Sequence, residues 1–596
     1  MYIYLTNVSG VWFLVKFKKL IIAAFVSICF TMIWPGCAGQ VPPEGGPKDL
    51  EPPEIVGVYP EPNSTNVDTD VIRFQFSKYV EQRSLQQALF ISPIIDDMEI
   101  QWRGRSVELA INEPLRDNTT YSITIGTDLR DTREGTRLSD AFTLAFSTGD
   151  EIDRGQITGR VYSEDPVGVL IFAYQIQDSV MADTLNPAEQ RPDYITQTGK
   201  DGSFRLPYLR FGTYRVIAIR DEFQNRLYDR EADPYGVYIR DVTVTEDEPV
   251  AGDVTIRMHK PDLTRPFITR VTAVHNTKIN VRFSKPVDPH SLTSESFRIH
   301  HKETEETLAI RNYAIRKENP SEVYLFTAEQ REDEYVMKID TTVTDLYGNT
   351  VRTDDREVVL GGNPDEPETP VTIEYVRPRP NQRNVHPEEH VTLQFSYPVR
   401  TEKTERAIWV VDTNEVALTG DYIWQDETAV TFKPRRLMES KMPYTVVVEL
   451  DSLPAKAGLV YEDSLYTSRF TVMDRDLLGA MEGELLSGQD TPFTVKSEKV
   501  RSTDDTRRYR YTRRGGGPFT MRHIPEGEYT LWAFIDPDES GQYDYGEVFP
   551  FRGSAPFVTY PDTVRVRARW TVDGILLDMR GYDDEEPVEA AEVPEE

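Results

Sequence analysis

Cysteine is nearly absent: the 596 residues contain two, Cys29 and Cys37, both within the first forty. The rest of the chain has no thiol, which excludes disulfides, cysteine-ligated zinc and thiol catalysis there. Histidine is sparse, with eight scattered residues, and the adjacent pair His300 and His301 would point to opposite faces of a strand. Neither a G-x-S-x-G nucleophile turn nor a phosphate loop occurs. Bases are outnumbered by acids, 67 Lys and Arg against 99 Asp and Glu, for a formal net charge of −32. A surface of that sign repels nucleic-acid phosphate, so no nucleic-acid partner is expected. A membrane-length apolar run is also missing. Residues 20–34 are apolar except for Ser27 and Thr31, but a span needs about 20 such residues. No segment of helical period is long enough for a domain.

What is present begins with an address. Lys16, Lys18 and Lys19 precede the short apolar stretch, as in a secretory signal, here residues 1–36. The next residues, Trp34-Pro35-Gly36-Cys37, resemble a lipobox, with Gly36 as the small residue before the cysteine. Cys29 is the competing candidate, but it follows the bulky Ile28. The resemblance implies lipidation of Cys37, a lipid anchor in the outer membrane, and a Pro- and Gly-rich tether over 37–53. The chain is similar to envelope lipoproteins of the Bacteroidota type. In these, acids just after the cysteine accompany export to the cell surface. Residues 38–42 carry none, which favours a periplasm-facing position.

Beyond the tether the chain repeats itself. Phe76-Ser77-Lys78-Tyr79-Val80, Phe283-Ser284-Lys285-Pro286-Val287 and Phe395-Ser396-Tyr397-Pro398-Val399 share one phrase, each closing an alternating run with the period of a half-buried strand. A second phrase, P-x-P-N-x-x-N-V, opens two of the copies at Pro60 and Pro378, 318 residues apart, or three units of about 106. Each copy later has a strand led by tyrosine, at Tyr121, Tyr335 or Tyr444, and the first ends on Phe146-Ser147-Thr148. Short alternating strands between Pro, Asn, Asp and Gly turns predict an immunoglobulin-like sandwich. These phrases resemble the SbsA-type bacterial Ig-like domain over 54–149, 363–475 and, more divergently, 263–362.

A different unit fills the gaps. Gly155 and Gly159 lead to Gly202, Phe204, Gly212, Tyr214 and Ala218. Near the C-terminus Gly517, Phe519, Gly527, Tyr529 and Ala533 repeat the pattern without a gap. Both stretches, 150–262 and 476–580, resemble the transthyretin-like, carboxypeptidase-regulatory type of β-sandwich. The expected fold is thus all-β, a string of tandem Ig-like and transthyretin-like sandwiches forming a semi-rigid rod. It ends in a disordered acidic tail over 581–596, which holds eight acids and no base.

Three local patterns suggest chemistry. Asp536, Asp538, Ser540, Gln542, Asp544 and Glu547, with Gly541 at the sixth position, have the ligand spacing of a calcium loop. The alternative is an Asx-rich turn between strands. The matching stretch from Asp221 has Phe223 and Arg226 where the third ligand position and the glycine should be, and is expected to keep the turn without metal. Arg507, Arg508, Arg510, Arg513 and Arg514, interleaved with Tyr509 and Tyr511, form a hairpin strand that could bind an anionic partner or the chain's own acidic tail. His386-Pro387-Glu388-Glu389-His390 matches a zinc-peptidase pattern that requires a helix. Pro387 and the strand that follows predict a solvent-facing loop instead.

No catalytic residue is expected. The residues suggest a non-enzymatic, outer-membrane-anchored lipoprotein. It would act as a structural scaffold or protein-binding accessory for an envelope partner, such as an outer-membrane assembly or secretion machine. The alternative is a surface carbohydrate-binding lipoprotein, although aromatics, 11% of the chain, form no cluster of spaced tryptophans.

Overall fold

The computed structural model describes residues 49–583, apart from 96, 368–370, 403, 454–459, 462 and 501–508. Cys37, Arg507, Arg508 and the tail from 584 onward lie outside the described residues. The described chain is nearly all strand and folds as five successive β-sandwiches, each closed over its own apolar cluster. None of its helices is long and apolar enough to cross a membrane.

Sandwich one packs the sheet Ile55–Tyr59, Val71–Phe76, Ser106–Ile111, Met98–Arg103 against the sheet Leu89–Ser92, Thr120–Ile125, Phe142–Ser147. Sandwich three, from Ile268–His275 to Glu357–Gly361, and sandwich four, from Ile373–Arg377 to Leu465–Thr471, repeat its four-stranded order, each with its first strand beside its second. The divergent third copy therefore shares the pairing of the first although it lacks the opening phrase. The shared phrase places the same side chains inside: Phe76, Phe283 and Phe395 are at most 2% exposed, and Val80, Val287 and Val399 are buried with them. The opening asparagines are used for their backbone. Asn63, Asn66, Asn381 and Asn384 have φ of 62°, 52°, 61° and 57°, a region that asparagine tolerates better than most residues. The Asn63 and Asn381 amides donate to Ala145 and Arg469 carbonyls, binding the opening loop to the last strand.

Sandwich two, from Gly155–Tyr162 to Val250–Arg257, and sandwich five, from Leu478–Leu486 to Thr571–Asp578, share a second architecture. In each, the last strand lies parallel to the first, Val250–Arg257 on Gly155–Tyr162 and Thr571–Asp578 on Leu478–Leu486. A five-stranded antiparallel sheet covers the other side. Phe204 and Phe519 fill equivalent core positions above Gly159 and Gly483. A Cβ at either glycine would fall within 2.7 Å of the ring and 2.5 Å of a facing carbonyl.

The rod expected from the sequence is not observed. The chain folds back so that sandwich five docks on sandwich two, across the intervening third and fourth. Val548 and Phe551 join the cluster that holds Phe172, Ile217 and Val237. The reason is that the outer faces of the two five-stranded sheets are apolar and the loop of sandwich five covers both: Val548 and Phe551 pack on Phe172, Ile217 and Val237, while Tyr543 packs on Trp532 and Phe534, which removes that surface from water.

Candidate functional site

What the described residues bring together is a set of junctions between sandwiches. In the one–two junction, Gln197 Nε2 donates to Asp128 Oδ2 at 2.6 Å and Arg226 Nη2 donates to the Leu89 carbonyl at 2.6 Å. In the three–four junction, buried Lys278 lies over the Tyr324 ring at 3.8 Å and donates to the Ser396 carbonyl at 2.9 Å. Its ammonium is 3.6 Å from Glu374, yet burial still lowers its pKa. Gln394 ties the same junction by donating to the Ile315 carbonyl and accepting from the Lys317 amide.

The two–five junction is aromatic. His259 stacks on Tyr545 at 3.9 Å, the Arg215 and Arg257 guanidinium groups lie 3.8 Å over Phe551 and Trp532, and Tyr235 donates to the Gly546 carbonyl at 2.8 Å. Burial pushes the His259 imidazole down to about 4. His275, which pairs with Tyr397 in the three–four junction, is likewise lowered to about 4, by burial first and by the Lys278 charge second. Both histidines are therefore neutral at physiological pH.

The Asp536 loop leads into the two–five junction. Asp536 is 2% exposed, and its Oδ2 accepts from the Gly541 amide at 2.9 Å and from Thr494 Oγ1. Asp538 accepts from the Ser540 amide, the Ser540 hydroxyl accepts from the Gln542 amide, and Asp544 pairs with Arg552. Glu547 bridges through its backbone to Arg552. Asp538, Ser540, Gln542, Asp544 and Glu547 are exposed. The equivalent loop in sandwich two makes the same turn, with Asp221 Oδ2 accepting from the Arg226 amide at 2.7 Å. Arg226 has φ of 61° where Gly541 has 68°. One carboxylate thus shapes both loops, and each loop carries its sandwich's contacts to a neighbour: sandwich one for the Asp221 loop, sandwich two for the Asp536 loop. Among the described residues, no group of three or more His, Cys, Asp or Glu is arranged to hold a metal ion.

The arginine-rich stretch is the edge strand Tyr509–Arg514, paired with Pro492–Lys499. Arg510 and Arg514 project to the exposed side and Arg513 to the other. Arg510 donates to the Ser540 carbonyl, Arg513 to the Gly515 and Pro518 carbonyls, and Arg514 to Asp490. The His386 motif lies in a loop, but His386 does not face solvent. It is 8% exposed, with Nε2 at 2.8 Å from the His523 carbonyl, while His523 Nδ1 is 2.7 Å from Glu388 Oε1. Sandwich five covers it there, which no local pattern in the sequence could reveal.

Fold and junctions together define a class: a multidomain all-β protein of tandem Ig-like sandwiches. Residues 49–148 and 367–472 match the family model of the bacterial Ig-like domain, within sandwiches one and four. Among solved structures, the N-terminal part of the bacterial S-layer protein SbsC is 15% identical, over 35% of this chain and 45% of that one, with a TM-score of 0.16. Domains 1–6 of the same surface layer protein are 10% identical over 82% of this chain and 66% of that one, with a TM-score of 0.13. L,D-transpeptidase 1 of Mycobacterium tuberculosis is 14% identical over 35% of this chain and all of that one, with a TM-score of 0.17. The chain thus spans less than half of the first of these structures. No curated protein matches.

Proposed function

We propose that this protein is a non-enzymatic envelope lipoprotein, held to the outer membrane through Cys37, that serves as a scaffold or accessory for another envelope protein such as an assembly or secretion machine. The observation that carries the reading is the two–five docking. It holds five Ig-like and related sandwiches in one fixed arrangement, so that sheet edges and loop ends from distant parts of the chain face a partner together. The acid-free residues 38–42 favour a periplasm-facing position over the cell surface.

In vivo crosslinking followed by purification tests the partner. An outer-membrane protein is expected to be captured with the wild-type chain, and capture of no envelope protein would overturn the reading. Cys37→Ala is expected to move the protein from the membrane to the soluble fraction.

Calcium at the Asp536 loop is a separable proposal, supported by the five exposed oxygen-bearing side chains there. Binding would require Asp544 to exchange Arg552 for the ion. Calorimetric titration with calcium is expected to give heat that Asp538→Asn abolishes, and its absence would remove calcium from the account. Binding of the Arg510 and Arg514 strand to the acidic tail is tested by salt-dependent proteolysis of that tail.

A further inference from the structure

The pairs one–two and four–five repeat one order along the chain, an Ig-like sandwich followed by a sandwich of the second architecture. Tyr208 and His523 occupy equivalent positions, four residues after Phe204 and Phe519. Both have positive φ, 61° and 57°. In the second copy His523 pairs with Glu388 and receives His386 on its carbonyl, and it also lines a cleft of about 420 Å³ with Arg522 and Trp570. In the first copy the positions of His386 and Glu388 are taken by Asp68 and Asp70, and Tyr208 makes no hydrogen bond to them among the described residues. The one–two junction holds two clefts of about 390 and 470 Å³, which share Arg205, Pro207 and Tyr208 as the ridge between them.

The open clefts are furnished for a ligand. Asp140 on sandwich one and Arg205 on sandwich two line the first cleft without forming an ion pair. Arg205 donates its Nε to Gln156 Oε1 at 2.8 Å, which leaves the outer guanidinium nitrogens available. Thr127 and Gln197 also line this cleft. They are 9% and 7% exposed, and Thr127 Oγ1 and Gln197 Oε1 are buried without a partner. Buried polar atoms left unpaired are uncommon and costly. The half-buried Tyr208 ring, held in a backbone region unusual for a bulky residue, lies between the two clefts.

We propose that the one–two junction is a binding site for a neutral carbohydrate. Neighbouring hydroxyls of a sugar can donate to Asp140 and accept from Arg205, and the Tyr208 ring supplies an apolar face for sugar C–H groups. An added peptide strand fits less well, because Pro207 has no N–H and the positive φ of Tyr208 interrupts the ladder along the edge strand Ser203–Leu209. An anionic ligand fits less well too, since Asp150, Glu151 and Asp153 line the second cleft. The proposal is independent of the partner proposed above.

The purified full-length chain is titrated with neutral gluco-, manno-, galacto- and xylo-oligosaccharides, and separately with oligolysine, by calorimetry and saturation-transfer NMR. At least one neutral oligosaccharide is expected to bind. Tyr208→Ala and Asp140→Asn should each weaken it tenfold or more, while His523→Ala leaves the affinity unchanged. Asp140 is exposed, so Asp140→Asn should leave the melting temperature alone and separates loss of the site from loss of the fold. No binding at millimolar sugar, undiminished binding in both cleft variants, or binding of oligolysine alone would each overturn the proposal.

Discussion

At the scale of single residues, three tyrosines do the same work in three sandwiches. The hydroxyls of Tyr121, Tyr335 and Tyr444 accept from the amides of Arg116, Arg331 and Glu439 while their rings fill the core. This is the bond of a tyrosine corner, from a buried ring to backbone a few residues upstream. Tyr444→Phe removes the hydroxyl but not the ring, so it should cost about 0.5–1.5 kcal/mol in urea unfolding. Phe395→Ala empties a site that is 1% exposed and should cost about 3–5 kcal/mol in the same measurement. The repeated Phe, Val and Tyr phrases were legible because each side chain reports a local condition, a core position in a strand of period two. The role of His386 was not legible, since its partner His523 is 137 residues away.

At the scale of elements, the Asp221 and Asp536 loops show how one turn serves two junctions. Asp536→Ala leaves the Gly541 amide and the Thr494 hydroxyl without their acceptor. It should destabilise sandwich five by about 1–3 kcal/mol, read by the fluorescence of Trp532 during denaturation. The corresponding bond from Asp221 is made where Phe223 and Arg226 break the ligand pattern, so the turn itself needs no cation. The spacing of carboxylates was visible in sequence. That one of them points inward to hold an amide was not, because direction depends on the backbone path.

The junction histidines set a pH dependence at the same scale. His259 and His275 are lowered to about 4 in the folded chain from the ordinary imidazole value of about 6.5. Between those values the unfolded chain binds more protons than the folded one. Their contribution to stability is complete above about pH 6.5 and is lost as the pH falls toward 4. Thermal melts across that window should show the wild-type midpoint falling more steeply than that of the double variant His259→Gln, His275→Gln. Parallel slopes would mean that neither imidazole is held neutral.

At the scale of the molecule, closure distinguishes this protein from a string of beads. Phe551→Lys places a like charge against the Arg215 guanidinium and beside the apolar cluster of the two–five junction. The five cores should stay folded by circular dichroism while small-angle scattering reports a larger maximum dimension. An unchanged scattering curve would show that other contacts hold the closure.

The strands, the two kinds of sandwich and their order along the chain were legible in the sequence. These follow from side-chain period, turn residues and internal repetition, all of which act over a few residues. The return of sandwich five to sandwich two, the pairing of His523 with His386 and Glu388, and the clefts beside Tyr208 came only with the folded chain. Those outcomes depend on the fit of surfaces whose residues lie hundreds of positions apart, and no local pattern encodes which exposed face will find another.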